Sequence, residues 1–572
     1  MLTLAAGVAL ADTSIVTLAL PDLETSVGTG VLGVAAVLFV YTAALAAGLW
    51  LAARWSSPRK AGVGFALAAV ASVICAAAPS LAVLLVGRAL QAAGGALGLV
   101  GVFRALDGGG GGRRWWLAAS VFGVAVGPAL GGALTQALGW RAIFVVQAPV
   151  AAVAALVMLA PRRGLAAPDA QRESLAPSTL TSAPKSPVSP ARALVALALV
   201  SASLSAVLFL LVLLVVAGWS ESPLSAALAL TVLPLSAFAG ALMPGPPRAR
   251  AVAGSALIGS GVLALAFLPQ AHLGWTLLPQ ALAGVGMGLA LTGLGGPLLA
   301  ERTPRDAARL LSVRHAGIAL LLVALAPLIA QQLTRSTDQA RLRGMAIVLD
   351  ARLAPQDKLA LAPGLLGSVS GDQPRGGLRA ALAAARVGFQ GSSLSEFDRL
   401  GRSADETLLA AVGDAFTTAF LLAGAVALLA VLVLSRVPRA GLARGVRGGR
   451  AQTALVLTCA LLCVITPAAY AAARDALRPA PVLIRDPCRP RALPQVGGLT
   501  GALQDQALRS LDAIACRQHT SREEIVLAFV DPAEGRRFAA AHPGYDPSQV
   551  TKLLGGLLGS GGLLGALGLG GP

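Results

Sequence analysis

Apolar runs of about 20 residues recur along most of this 572-residue chain, and no other feature constrains its fold as tightly. A bilayer core about 30 Å thick takes roughly 20 residues of helix to cross. Inside it no water can satisfy backbone N–H and C=O groups, so each run must close its own hydrogen bonds. The runs are too long for strands and lack two-residue alternation, which predicts helices. Charged residues make up 13% of the chain, against about 25% in soluble domains. The chain therefore reads as an all-α polytopic membrane protein. Spans are expected at about 2–20, 30–53, 61–78, 81–103, 115–138 and 142–160, then at about 193–217, 224–243, 253–269, 275–299, 315–333 and 408–435, with one more at about 452–473. The first run starts at Met1 and reaches Asp12 with no small-residue cleavage site after it, so it is expected to stay in the membrane.

The formal charge of +18 would suit a nucleic-acid binder, but its placement argues for topology instead. Basic residues cluster in alternate short loops: Arg54/Arg59/Lys60, Arg104/Arg113/Arg114, Arg162/Arg163, Arg248/Arg250, Arg302/Arg305/Arg309/Arg314 and Arg436/Arg439/Arg444/Arg447/Arg450. The intervening short loops are nearly bare, Arg141 excepted. Cytoplasmic loops carry such an excess, so the N-terminus is expected in the cytoplasm and the C-terminus outside. A multi-pass place in the plasma membrane, with membrane lipids as neighbours, follows. Nucleic acid is not an expected partner.

Domain boundaries follow from composition. Residues 1–160 hold six spans, and a Pro/Ser/Ala-rich cytoplasmic linker covers 161–191. Five spans fill 192–333. A polar insert at 334–407, of mixed charge, falls on the outside. The sixth span and its basic loop take 408–450, and the extra span takes 451–473. An extracytoplasmic tail, 474–572, ends the chain. Two sets of about six spans suggest an internally duplicated transporter. In the tail, Thr520-Ser-Arg-Glu523 has the pattern of a capping box, and Asp531-Pro532 that of an N-cap with proline at the first helical position. The Leu pairs from Leu553 to Leu558 fit a glycine-rich tail or a stretch lying on the membrane surface. Cys75, Cys459 and Cys463 lie in apolar spans. Cys488 and Cys516 lie in the polar tail, where an oxidising exterior would allow a disulfide. The four histidines, at 272, 315, 519 and 542, fall at span ends or in loops and are expected to be solvated. No cluster has metal-ligand spacing, no nucleotide loop or hydrolase set is visible, and neither metal, cofactor nor enzymatic activity is expected.

Polar residues inside the spans carry the functional signal, because hydrocarbon makes them expensive. Asp12 is the one acid well inside an N-terminal span. It is either a substrate- or proton-linked site or a structural acid paired near a helix end. Arg88 is a mid-membrane guanidinium that could tune a nearby acid or anchor two helices. Gln91, one helical turn further on, shares its face. Gln136, Gln147 and Gln280 are weaker cavity-lining candidates. Gly123, Gly127, Pro128, Gly131 and Gly132 sit in one apolar run, where they allow close helix packing and a set bend.

These residues also carry a resemblance. Asp12-Thr-Ser14-Ile15-Val16-Thr17-Leu18-Ala19-Leu20-Pro21 resembles the first-helix signature of the major facilitator superfamily, in particular its drug:proton antiporters usually built with fourteen spans. Arg88-x-x-Gln91-x-x-Gly94 is similar to that family's fourth-helix motif, and Gly123 to Gly132 to its fifth-helix antiporter motif. Gly139-Trp140-Arg141-Ala-Ile-Phe144-Val-Val-Gln147-Ala-Pro149 is similar to the stretch that follows. The resemblance covers about residues 1–435. It implies two six-helix bundles, a central cavity, and alternating-access export of hydrophobic, amphipathic or lipid-like molecules against a proton gradient. It makes Asp12 and Arg88 the proton-coupling candidates and Gly127 and Pro128 the hinge. Two departures stand out. Ala53 occupies the place of the acid, and Ser56 that of a glycine, in the family's loop between helices two and three. The extra span and the tail have no counterpart in the pattern. The missing acid and the two outside segments, 334–407 and 474–572, motivate the alternative of a transporter-fold sensor, scaffold or accessory protein for envelope assembly that binds an envelope protein through the tail.

Overall fold

The computed structural model describes residues 2–55, 57–107, 127–160, 190–298, 303–368, 374–435 and 450–543, with residue 548. Gly123, Ser56, Arg113, Arg114, the linker at 161–189, the basic loop at 436–449 and the Leu pairs from Leu553 to Leu558 lie outside them. The described chain is helical, as the apolar runs predict. Its elements are α1 (Leu2–Thr17), α2 (Leu20–Val27), α3 (Val31–Trp55), α4 (Pro58–Ala77), α5 (Leu81–Asp107), α6 (127–138), α7 (Arg141–Leu159), α8 (Pro190–Val212), α9 (Pro223–Leu230) and α10 (Val232–Leu242). There follow α11 (Pro247–Leu265), α12 (Leu273–Leu298), α13 (Pro304–Asp350), α14 (Pro355–Ser368), α15 (Pro374–Arg386), α16 (Gly391–Ser435), α17 (Arg450–Leu477), α18 (Gly498–Arg517), α19 (Arg522–Val530) and α20 (Pro532–Ala541). Among the described residues ten helices are long and apolar enough to cross a bilayer, or 11 if the bent pair α1–α2 is one span.

The chain divides into two compact units. The first takes Met1–Val216, Glu221–Ala330 and Phe416–Leu477; the second takes Ala217–Ser220, Gln331–Ala415 and Arg478–Pro572. In the first unit α4 packs on α5 and α7, α3 on α5, and α12 on α10 and α11. Local chemistry sets the ends of these helices. Ser57 caps α4 by accepting from the Lys60 N–H, with Pro58 at the first helical position, where its missing N–H costs nothing. Ser222 and Pro223 do the same for α9. One expected span is broken: the first bends by 64° between α1 and α2, where Pro21 enters the first turn of α2. The one at about 224–243 crosses as a single stretch, with Thr231 at helical angles where α9 meets α10. The extra span α17 packs along α11. The Tyr470 hydroxyl donates to the Trp275 carbonyl (2.8 Å) and Arg474 Nη1 to that of Ala266 (2.9 Å).

One expectation is overturned here. His315 is not solvated. It lies within α13, only 3% exposed, with Nδ1 2.8 Å from the Leu311 carbonyl oxygen. The helix begins eleven residues before it, at Pro304, so position 315 is helix interior rather than span end.

In the second unit, insert and tail share one core, although the sequence reads as two separate segments. Met345, Leu349 and Ala362 of the insert pack with Leu508, Leu511, Ile525 and Phe538 of the tail. An ionic cluster accompanies this core. Arg491 Nε donates to Asp512 Oδ2 (3.1 Å) and Arg522 Nε to Glu523 Oε1 (3.2 Å), while Arg522 also pairs with Asp350 of α13. The capping box of α19 is shifted by one residue from the predicted one. Ser521 and Glu524 form it, because Glu523 is buried against Arg491 and Arg522. Asp531 and Pro532 open α20 as predicted. A disulfide joins Cys488 to Cys516, with 5.0 Å between their Cα atoms. Lys358 donates to the Leu349 carbonyl at the end of α13 (2.8 Å), and burial pushes its ammonium down to about 8.

Candidate functional site

Four helices of the first unit bring one buried polar ring together. α1 supplies Asp12, α5 supplies Arg88 and Gln91, and α7 supplies Gln147, with Ser72 of α4 at its edge. Arg88 spans both oxygens of Asp12, Nη1 to Oδ1 at 2.9 Å and Nη2 to Oδ2 at 2.6 Å. Arg88 Nη1 also donates to Gln91 Oε1 (2.7 Å), one turn along the same helix. Gln91 Nε2 donates to Gln147 Oε1 (2.6 Å) and to Ser72 Oγ (3.0 Å). Gln147 Nε2 closes the ring on Asp12 Oδ1 at 2.9 Å.

Burial makes these bonds strong. Asp12 is 1% exposed and Arg88 0%. A forked guanidinium–carboxylate pair matches donors to lone pairs two by two. Removing one partner would strand the other charge, at about 3–5 kcal/mol. The Arg88 guanidinium also lies 4.1 Å from the Tyr41 ring centre and 5.7 Å from that of Phe144, so aromatic faces help replace its hydration. Tyr41 itself donates to the Ala9 carbonyl (2.9 Å), which fixes α3 to α1. Beside the ring lies a cavity of about 30 Å³, lined by Asp12, Tyr41, Ser72, Gln91 and Gln147 among apolar neighbours. That is room for about one water molecule with several polar partners. Through these bonds α4, α5 and α7 are all linked to Asp12 of α1.

The other sequence candidates stand apart from the ring. Gly127, Pro128, Gly131 and Gly132 are buried on α6 and form a packing face. A Cβ on Gly127 would sit 2.0 Å from Ser14 Oγ, one on Gly131 2.3 Å from the Ile15 carbonyl oxygen, and one on Gly132 2.3 Å from Ala227 Cβ. α6 therefore seats on α1, one helical turn from Asp12, and on α9. Gln136 lies exposed in the last turn of α6. Gln280 is buried on α12, where its Nε2 donates to Thr276 Oγ1 (2.9 Å). Sequence reasoning missed Ser72 and Tyr41. Each is a polar group in an otherwise apolar run, the same signal that picks out Asp12.

The family model described as Major Facilitator Superfamily matches residues 2–330. Two curated relatives are each 33% identical over 159 residues. They are "Drug efflux pump JefA" of Mycobacterium tuberculosis (strain ATCC 25618 / H37Rv), where the match covers 26% of this chain and 31% of the relative, and "Putative multidrug resistance protein MdtD" of Serratia proteamaculans (strain 568), where it covers 26% and 33%. The match thus spans about a third of each relative's length. Among solved structures, a bacterial homolog of the human lysosomal transporter Spinster, inward-facing and occupied, aligns with a TM-score of 0.48 at 15% identity, covering 76% of this chain and 96% of that one. A D-xylose–proton symporter aligns with a TM-score of 0.43 at 13% identity, covering 57% and 88%.

Proposed function

The chain belongs to the Major Facilitator Superfamily, and on that premise we propose that it is a proton-coupled exporter of hydrophobic, amphipathic or lipid-like compounds. The observation that carries this reading is the Asp12–Arg88 pair, sealed inside an apolar helix bundle. A carboxylate at that depth is expensive to keep, and a pair beside a water-sized cavity can give up its charge to a proton. Taking the proton from one side and returning it on the other, by alternating access, would drive export. The relatives named as drug efflux and multidrug resistance proteins support the substrate class.

Proteoliposomes loaded with ethidium test the reading. Under an imposed pH gradient, ethidium is expected to cross uphill only while the gradient lasts. Movement that survives a protonophore unchanged would end the coupling claim.

The reading includes a plasma-membrane location with a cytoplasmic N-terminus, an extracytoplasmic tail and the second unit outside. The alternating basic loops and the Cys488–Cys516 disulfide, which an oxidising side favours, support it. An impermeant maleimide added to intact cells should label Cys488 and Cys516 only after external reduction. Labelling that requires cell lysis would reverse the orientation.

A further inference from the structure

α8 runs into a strained turn. Residues Leu213–Gly218 form a π-helical turn, and the Glu221 N–H donates to the Val215 carbonyl (3.1 Å), six residues back. π turns are rare and occur mostly singly, often where a chain does something besides span. Ser220 then sits at φ 57°, in the left-handed region where a Cβ crowds the backbone. Glycine would adopt this conformation freely. The Ser220 hydroxyl gives no local compensation: its Oγ is buried and has no hydrogen-bond partner among the described residues. Such a conformation persists only where the surroundings impose it.

The constraint comes from the insert, 156 residues further along the chain. Residues Ala217–Ser220 belong to the second unit, together with α15 and the first part of α16. There Arg375 of α15, 8% exposed, uses all three guanidinium nitrogens on two partners. Nε and Nη2 fork onto Asp405 Oδ1 and Oδ2 of α16 (2.9 and 3.0 Å), and Nη1 donates to the Trp219 carbonyl (2.9 Å). The fork fixes the plane of the guanidinium, so it also fixes where Nη1 points. The Trp219 carbonyl belongs to the planar peptide between Trp219 and Ser220, whose rotation changes Trp219 ψ and Ser220 φ together. The Trp219 side chain, 2% exposed, is itself packed in place. We infer that Arg375 is a positioning residue: by gripping the 219–220 peptide it keeps Ser220 left-handed, and the insert thereby sets how α8 ends. If Arg375 lets go, that peptide can turn over, Ser220 leaves the left-handed region, and the bond from Glu221 to Val215 opens. The grip involves neither a substrate nor the Asp12 site.

Hydrogen–deuterium exchange of the full-length protein in lipid nanodiscs reads the Glu221 amide directly. Arg375→Met should speed its exchange about tenfold or more, as expected when a bond from a charged donor is lost. Substitutions at position 220 then distinguish a grip from plain packing. Ser220→Ala removes the hydroxyl and keeps the Cβ, so the difference between Ser220→Gly and Ser220→Ala reads the left-handed backbone alone. With Arg375 in place, glycine should protect the Glu221 amide about tenfold better than alanine. In the Arg375→Met background glycine should lose that advantage, because the turn has already relaxed. A residue that only fills space would leave the advantage unchanged. The same advantage in both backgrounds overturns the inference, as does an unchanged Glu221 rate in Arg375→Met. Arg375→Lys carries the test if Arg375→Met fails to fold by circular dichroism and gel filtration. Lysine keeps a charge beside Asp405 but has no rigid fork to aim a donor at Trp219. The same loss of the glycine advantage is expected there, and its persistence would be equally decisive against the grip.

Discussion

Asp12→Asn is expected to lower gradient-driven ethidium transport at least about 100-fold and to destabilise the protein as well. Asparagine keeps the shape and can still accept from Gln147 or Arg88 through its one oxygen. Its NH2 would take the place of Oδ2, which now accepts from Arg88 Nη2 at 2.6 Å, so a donor would face a donor. Arg88, fully buried, would keep a charge with no carboxylate opposite it, a loss of about 3–5 kcal/mol. Stability and transport therefore fall together in the single variant, and that result alone does not separate a structural pair from a proton site. The double variant Asp12→Asn/Arg88→Gln does. Replacing both charges removes the stranded guanidinium and should recover most of the melting temperature. It removes the carboxylate on which the coupling reading rests, so transport should stay lost. A double variant that regained transport with its stability would mark the pair as a helix anchor and end its role in coupling.

Part of this site was legible in the sequence, and the limits were physical. Asp12 and Arg88 stand out because ionised groups are rare in hydrocarbon, and Gln91 because three residues along a helix is one turn. Gln147 ranks lower in the sequence than in the structure. Nothing in a linear chain ties position 147 to position 12, and glutamine in a membrane helix is often mere packing. Gln136 follows Gly132 at helical spacing, which suggests a shared buried face, yet α6 ends at 138 and leaves that last turn exposed. The tail shows a subtler limit. Thr520-Ser-Arg-Glu523 and Ser521-Arg-Glu-Glu524 both fit a capping box. The second wins because Glu523 is needed beside Arg491 and Arg522, a contact set by tertiary packing. The common core of insert and tail was out of reach for the same reason, since its contacts join segments more than a hundred residues apart.

The glycine-rich helix α6 makes a prediction of comparable size. Gly131→Ala adds one methyl group, and its carbon would stand 2.3 Å from the Ile15 carbonyl oxygen. That oxygen belongs to the backbone of α1 and cannot rotate away as a side-chain end could. Either α6 lifts from α1 by about an ångström or α1 deforms, and overpacking of this kind costs about 1–3 kcal/mol or more. Asp12 lies one turn before Ile15, so the strain falls on the helix that positions the buried pair. Gly295 on α12 is the matched control: a Cβ there meets nothing within 4 Å. Gly295→Ala should gain up to about 1 kcal/mol of helix propensity and keep full transport. Gly131→Ala should lower the melting temperature by several degrees, read by fluorescence-detected gel filtration after heating, and cut ethidium transport about tenfold or more. Equal behaviour of the two variants would mean that the α1–α6 contact is looser than its geometry implies, and that the glycines are not what seats the helix beside Asp12.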